Sequence, residues 1–185
     1  MMALATVTMQ ERGATDRLLA RVAAKLSEDG MQLRGALRDL GQDTINQHCQ
    51  SALRLLPDGP LVQITQDLGP GSAACKMDAG ALEDVVGMAV AGLNAEGADL
   101  VVLNKFGLRE AEGHGFRPLI AEALGRDIPV LIGVSDTHRT AFERFADGLA
   151  ASLPGEEDAI VAWCRQATGI PPATTEQTHQ IRRST

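Results

Sequence analysis

Aromatic residues are scarce in this 185-residue chain: they make up 3% of it, with four Phe, one Trp and no Tyr. A chain so poor in flat rings has few platforms on which exposed bases can stack, which argues against single-stranded nucleic-acid binding. A net charge of −7 points the same way, leaving room for a local basic pocket but not for a general nucleic-acid binder. Also missing is any apolar run near the roughly 20 residues that a membrane-spanning helix requires, so membrane insertion is not expected. The amino terminus, MMALATVTMQERG, lacks the basic start and long apolar core of a secretion signal, and the location expected is cytoplasmic. Cysteines number only three, Cys49, Cys75 and Cys164, an odd count without metal-ligand spacing. Reduced thiols are expected; His48-Cys49 and Cys75 flank an apparent hairpin and are where a metal or redox site would be sought.

What is present is a globular composition, 44% hydrophobic, in a length suited to one domain with a substantial core. Residues 3–8 read as a short buried strand. Leu18, Leu19, Val22, Ala23 and Leu26 then share one face of a helix over about 15–29, with Gly30 as its stop. Residues 31–37 suggest a second strand. Pro57-Asp58-Gly59 between two extended runs predicts an antiparallel hairpin of 51–56 and 60–66, the proline presetting φ and the glycine accepting a positive one. The glycine-rich stretch 67–78 reads as a loop, and Asp67 to Ser72 as a candidate lid. Leu82, Val85, Val86, Ala89, Val90 and Leu93 mark a helix over 79–96. The uninterrupted runs 98–104 and 128–134 look like strands buried on both faces of a parallel sheet. Helices are expected at 115–125, after Ser135-Asp136-Thr137, and near 156–168, followed by a flexible tail over 169–185. Strands alternating with helices predict an α/β three-layer sandwich with a mainly parallel sheet and an inserted β-hairpin, one domain over 1–168. Ligands of such sheets sit beyond the carboxyl ends of the strands, here the loops 8–15 and 104–115.

The first of these loops, TMQERGAT, stands where a phosphate-binding P-loop would stand. Aligned on G-x-x-x-x-G-K-[ST], it keeps Gly13 and Thr15, but Thr8 replaces the first glycine and Ala14 the lysine that reaches the terminal phosphates. A plain strand-to-helix turn explains Gly13 and Thr15 equally well. Free amides at a helix start still favour an anion without the lysine, and Arg12 would add charge if it turned inward.

The second loop carries a resemblance. Leu103-Asn104-Lys105-Phe106-Gly107-Leu108-Arg109-Glu110, then Phe116 to Leu124 and Pro129-Val130-Leu131, follow the order of elements in the nucleoside-triphosphatase family first described from thermophiles. That family runs from a P-loop through a hairpin insert to a Walker B strand of the type I-D-E-I-G-x-x-E. More closely, LRLLPDGPLVQITQDLGPGS and NKFGLREAEGHGFRP are similar to signature words of a bacterial domain of unknown function whose genes often sit beside molybdate-uptake and molybdenum-enzyme genes. The first resemblance implies a P-loop NTPase-like fold over roughly 3–150. It also makes the departures informative: Asn104 stands where the Mg²⁺-organising Asp is expected, Lys105 where the water-activating Glu is, and Ala14 where the phosphate clamp is, while Gly13, Thr15, Gly107 and Glu110 match. With clamp, metal anchor and base lost together, efficient Mg-dependent hydrolysis is not expected.

The expectation is therefore a degenerate Walker A and B protein that binds a nucleotide or small oxyanion without efficient hydrolysis, with a regulatory place in molybdenum metabolism. Its site would comprise Arg12, Gly13, Ala14, Thr15, Asn104, Lys105, Gly107 and Glu110. With the strands before the two loops adjacent, as the resemblance implies, Lys105 would point at the Gly13–Thr15 amides and help hold an anion with no divalent metal; alternatively it pairs with Glu110 or Glu112. His114, between glycines, reads as an exposed loop residue. A nucleoside triphosphatase with atypical residues and a ligand-free interaction module are the competing readings. No cofactor is assigned, and a protein partner or homo-oligomer stays open.

Overall fold

The structure is a computed structural model, described here over residues 3–41, 51–66 and 76–171. Among these residues a seven-stranded sheet has the order β4-β3-β2-β7-β8-β1-β9. Its strands are β1 (Leu4–Val7), β2 (Leu33–Arg38), β3 (Ala52–Leu55), β4 (Leu61–Gln63), β7 (Leu100–Phe106), β8 (Val130–Val134) and β9 (Ala150–Leu153). β2, β7, β8, β1 and β9 run parallel, while β3 is antiparallel to both β2 and β4. A two-stranded antiparallel ribbon, β5 (Thr65–Gln66) with β6 (Lys76–Met77), stands apart.

The apolar runs fall at the centre for the reason their composition suggests. All five residues of β8 are buried, as are the first five of β7, because helices cover both faces. One face packs α1 (Ala14–Glu28) and α6 (Glu157–Thr168) against residues such as Ala5, Leu33 and Leu131. The other receives α2 (Ala79–Glu96), α4 (Arg117–Gly125) and α5 (Asp136–Ala146), packed against Leu103, Ile132 and Val134. Between β7 and α4 lies the single turn α3 (Leu108–Ala111). The spacing of Leu18, Leu19, Val22 and Leu26 places each of these side chains inside, worth roughly 1.5–3 kcal/mol apiece. Helix α1 ends at Glu28 with Asp29 as its C-cap, and Gly30 follows at φ 85°, where a side chain would be strained. The Asp78 carboxylate caps α2 by accepting the Ala81 N–H at 3.0 Å. Cys164 is fully buried in α6, and this burial pushes its thiol pKa up to about 12.

Several expectations need correcting. The run 60–66 is not one strand: after β4 the chain breaks at Ile64, whose N–H donates to Ser51 O, and Thr65 then pairs with Met77 in the ribbon. Gly59 is not needed for a positive φ. It is needed because a Cβ there would lie 2.6 Å from Leu55 Cβ, and its N–H closes the turn on Leu55 O. Strand β9 had no counterpart in the sequence reading. The strand expected to end at Asn104 runs on to Phe106, so Lys105 also belongs to β7 rather than to the loop after it. Most consequentially, β1 and β7 are not neighbours; β8 lies between them. Cys49 and Cys75, with His48, the candidate lid and most of the expected tail, lie outside the described residues. Among the described residues no group of His, Cys, Asp and Glu could hold a metal ion, and no helix is long and apolar enough to cross a membrane.

Candidate functional site

The chain leaves β1 toward the face that holds α1, and leaves β8 toward the face that holds α5. The carboxyl ends of these adjacent strands therefore form the crevice in which open α/β sheets place ligands. Across it the Thr8 hydroxyl donates to Val134 O at 2.7 Å, and the Gln10 amide donates to Asp136 Oδ2 at 2.9 Å. Arg139, and then Gln10, hold the Asp136 carboxyl below its ordinary range.

The loop from Thr8 to Gly13 is built around a turn in which Ala14 N–H donates to Glu11 O at 3.1 Å. Gly13, the third residue of that turn, sits at φ 74°, ψ −3°, the position that demands glycine in a type II turn. The Thr15 hydroxyl accepts the Met9 N–H at 3.1 Å and so ties the start of the loop to the helix. Arg17 pairs with Glu11 at 2.6 Å, and its guanidinium lies over Gly13. Among the described residues the amides of Gly13, Thr15 and Asp16 have no acceptor. Arg12 is exposed and has no ionic partner there. Ala14 is only 9% exposed, so the position that a clamp lysine would occupy is filled by a packed methyl group.

On the far side of β8 the β7 register slips. Leu103 faces Ile132 and Phe106 faces Val134, so Asn104 and Lys105 together oppose Gly133, a bulge that turns two consecutive side chains to different environments. Asn104 is 7% exposed, and its Oδ1 accepts the Arg38 N–H at 3.2 Å. Lys105 is exposed and pairs with neither carboxylate considered for it: Glu110 serves two backbone amides and Glu112 lies 3.6 Å from Arg109. Gly133 is what lets the pieces converge. A Cβ there would lie 2.3 Å from Asn104 O and 2.9 Å from Thr15 Cγ2. The Asn104 backbone oxygen and Thr15 Cγ2 thus both come close to a bare glycine, although β8 separates β7 from β1.

Gly107 and Glu110 do different work. Glu110, 4% exposed, accepts Gly107 N–H through one oxygen and Phe116 N–H through the other, both at 2.9 Å. Gly115, at φ 59°, has no room for a side chain because a Cβ would meet Glu110 Oε1. Glu83 accepts the Gly115 N–H at 3.2 Å and faces Arg109 at 3.4 Å. The loop after β7 is closed on itself, and His114 on it is exposed.

Of the eight residues singled out, the structure brings Thr15 and the backbone of Asn104 to Gly133, keeps Gly13 and Ala14 in the turn that leads into α1, leaves Arg12 and Lys105 as exposed cations on that turn and on the β7 bulge, and joins Gly107 to Glu110. Arg38 went unnoticed in the sequence. It lies 3.5 Å from Asp16 in the first turn of α1 and lends its amide to Asn104. A charged residue at the carboxyl end of a parallel strand was the available signal. Gly133, the sole glycine of the buried run VLIGV, was a close-approach signal of the kind strands rarely carry without cause.

Comparison with known proteins agrees with both resemblances. The chain belongs to the family described as Protein of unknown function (DUF2478), matched over residues 4–163. It is 34% identical over 167 residues to the molybdenum import ATP-binding protein ModC 2 of Bradyrhizobium diazoefficiens, a match that covers 89% of this chain and 18% of that much longer protein. Its fold resembles the crystal structure of THEP1 from the hyperthermophile Aquifex aeolicus, with a TM-score of 0.58 over 86% of this chain and 95% of that one. At 10% identity this likeness concerns the fold alone. The fold is thus the α/β sandwich with a mainly parallel sheet that was anticipated, and it resembles that of THEP1.

Proposed function

We propose that this chain binds a nucleotide or small oxyanion at the β1–α1 loop and does not hydrolyse it efficiently. The observation that carries the reading is the set of amides of Gly13, Thr15 and Asp16 that have no acceptor among the described residues, at the crevice between the ends of β1 and β8, with the exposed Arg12 on the same turn and the exposed Lys105 on the β7 bulge at the other side of β8. Amides at a helix start attract an anion, and Arg12 and Lys105 replace in net charge the lysine that Ala14 omits. Hydrolysis lacks its parts. Asn104 presents a neutral amide already engaged with Arg38, and Lys105 cannot act as a carboxylate base.

The longer relative is named for molybdenum import and ATP binding, which supports a regulatory role in molybdenum metabolism, in the cytoplasm, with molybdate among the candidate oxyanions.

Thermal unfolding of the purified chain with ATP, GTP, molybdate, tungstate, sulfate or phosphate, each with and without Mg²⁺, tests this. A ligand at 100 times its Kd adds about 2.7 kcal/mol to the folded state, a readily measured shift. The expected result is a metal-independent shift that Lys105→Ala and Arg12→Ala each reduce, with no phosphate release above background. Mg-dependent turnover would establish an atypical nucleoside triphosphatase instead. Absence of any shift would leave an interaction module.

A further inference from the structure

A groove of about 440 Å³ runs beside α1, between Ala20 and Ser27 on one wall and the end of β2 with the β3–β4 turn on the other. Its size falls in the range of pockets that enclose small organic ligands. Ala20, Ala24, Leu37, Leu56 and Pro57 give it apolar walls. At its rim Arg54 lies 3.5 Å from Asp39, and Asp58 stands on the turn, so hydrogen-bond donors and acceptors border an apolar slot. The groove also communicates with the candidate anion site through one residue. Arg38 lines the groove, lies 3.5 Å from Asp16 at the start of α1, and donates its backbone N–H to Asn104. Ala20 is five residues beyond Thr15, about 7.5 Å along the helix axis.

We infer that the groove takes the base and sugar of a nucleoside phosphate whose phosphates rest on the β1–α1 loop. The inference rests on the anion-binding reading of that loop and narrows its ligand. A bare oxyanion would leave the groove empty, and a purely aliphatic ligand would make no use of the carboxylates and guanidinium of its rim. A base fits both features: apolar faces between Ala24 and Leu56, and an edge of donors and acceptors toward Asp39, Arg54 and Asp58. Small aliphatic walls serve a base here in a chain with almost no aromatic side chains to stack on it.

Titration calorimetry of the full chain with inorganic tripolyphosphate and with ATP, GTP, CTP and UTP separates this inference from the reading beneath it. Ala24 is exposed on α1, so Ala24→Trp fills the groove without entering the core; Arg54→Ala, on an exposed strand position, removes part of the rim without filling anything. At least one nucleotide is expected to bind about tenfold or more tightly than tripolyphosphate. Ala24→Trp should abolish that excess and leave tripolyphosphate affinity unchanged, and Arg54→Ala should reduce the excess. Equal affinity of tripolyphosphate and all four nucleotides, or an excess that survives Ala24→Trp, overturns the groove assignment and leaves the anion site standing. If neither tripolyphosphate nor any nucleotide binds, the anion site falls and takes the groove assignment with it.

Discussion

Two loops leave the same end of the sheet and use their polar groups in opposite ways. After β7, Glu110 is buried and gives one oxygen to Gly107 N–H and the other to Phe116 N–H, while Glu83 takes Gly115 N–H and faces Arg109. After β1, by contrast, the amides of Gly13, Thr15 and Asp16 have no acceptor among the described residues, and Arg12 stands exposed. A buried carboxylate that satisfies backbone donors makes a loop rigid and leaves little for a ligand. A loop that leaves donors open at a helix start keeps them for an anion. Matching a family motif therefore does not locate the site by itself: Gly107 and Glu110 match and are internally satisfied, whereas Lys105 departs from the motif and is available.

The sharpest way to break the contrast is to open the closed loop. Glu110→Ala strands two buried N–H donors and is expected to cost about 2–4 kcal/mol in urea unfolding, with anion affinity of the folded protein unchanged. Loss of affinity out of proportion to stability would place Glu110 in the binding site after all. Next in size is Gly133→Ala, whose methyl would overlap Asn104 O and press on Thr15 Cγ2. Overpacking of this kind costs about 1–3 kcal/mol. Here the affinity should fall as well, because the methyl drives apart the two sides that meet above Gly133. A variant that is destabilised but binds normally would show that Asn104 and Thr15 need not be held together.

How much of this could be read from the sequence depends on the range of the forces involved. Helices α1 and α2 were legible because their apolar residues recur at helical spacing, and β7 and β8 because an unbroken aliphatic run admits few other readings. Strand β9 was not legible: Ala150, Ala151 and Ser152 have no strand signature, and the segment is extended because it pairs with β1, as an edge with one neighbour. The break at Ile64 depends on partners at Ser51 and Met77, which local composition does not reveal. In the site, Gly13 and Thr15 could be picked out by their spacing. The bulge at Asn104 and Lys105 could not, since it exists only in the register between β7 and β8. The assumption that β1 and β7 were neighbours failed for the same reason, because strand order is a property of the whole sheet.

Smaller effects sharpen the account of the open loop. Thr15→Val removes the acceptor of the Met9 N–H while nearly keeping the shape that lies against Gly133, and should cost about 1 kcal/mol in urea unfolding. If the hydroxyl also touches the anion, affinity falls beyond what the loss of stability explains; an unchanged affinity would confine Thr15 to stitching the loop.

The smallest expected change in stability is the most informative about charge. Glu11 and Arg17 form an exposed pair across the loop, and such pairs contribute about 0–1 kcal/mol. Glu11→Gln should therefore leave the urea midpoint almost unmoved. Its effect on binding has a definite sign: the substitution removes a negative charge from the loop and releases the Arg17 guanidinium that lies over Gly13. Anion affinity is expected to rise about two- to threefold at low salt and to lose most of that gain near 1 M salt, where the screening length falls to about 3 Å. A gain that persists at high salt would mean that the substitution reshapes the loop rather than its field. No gain at any salt would mean that Arg17 and Glu11 stand outside the reach of the ligand, leaving the amides, Arg12 and Lys105 to hold it.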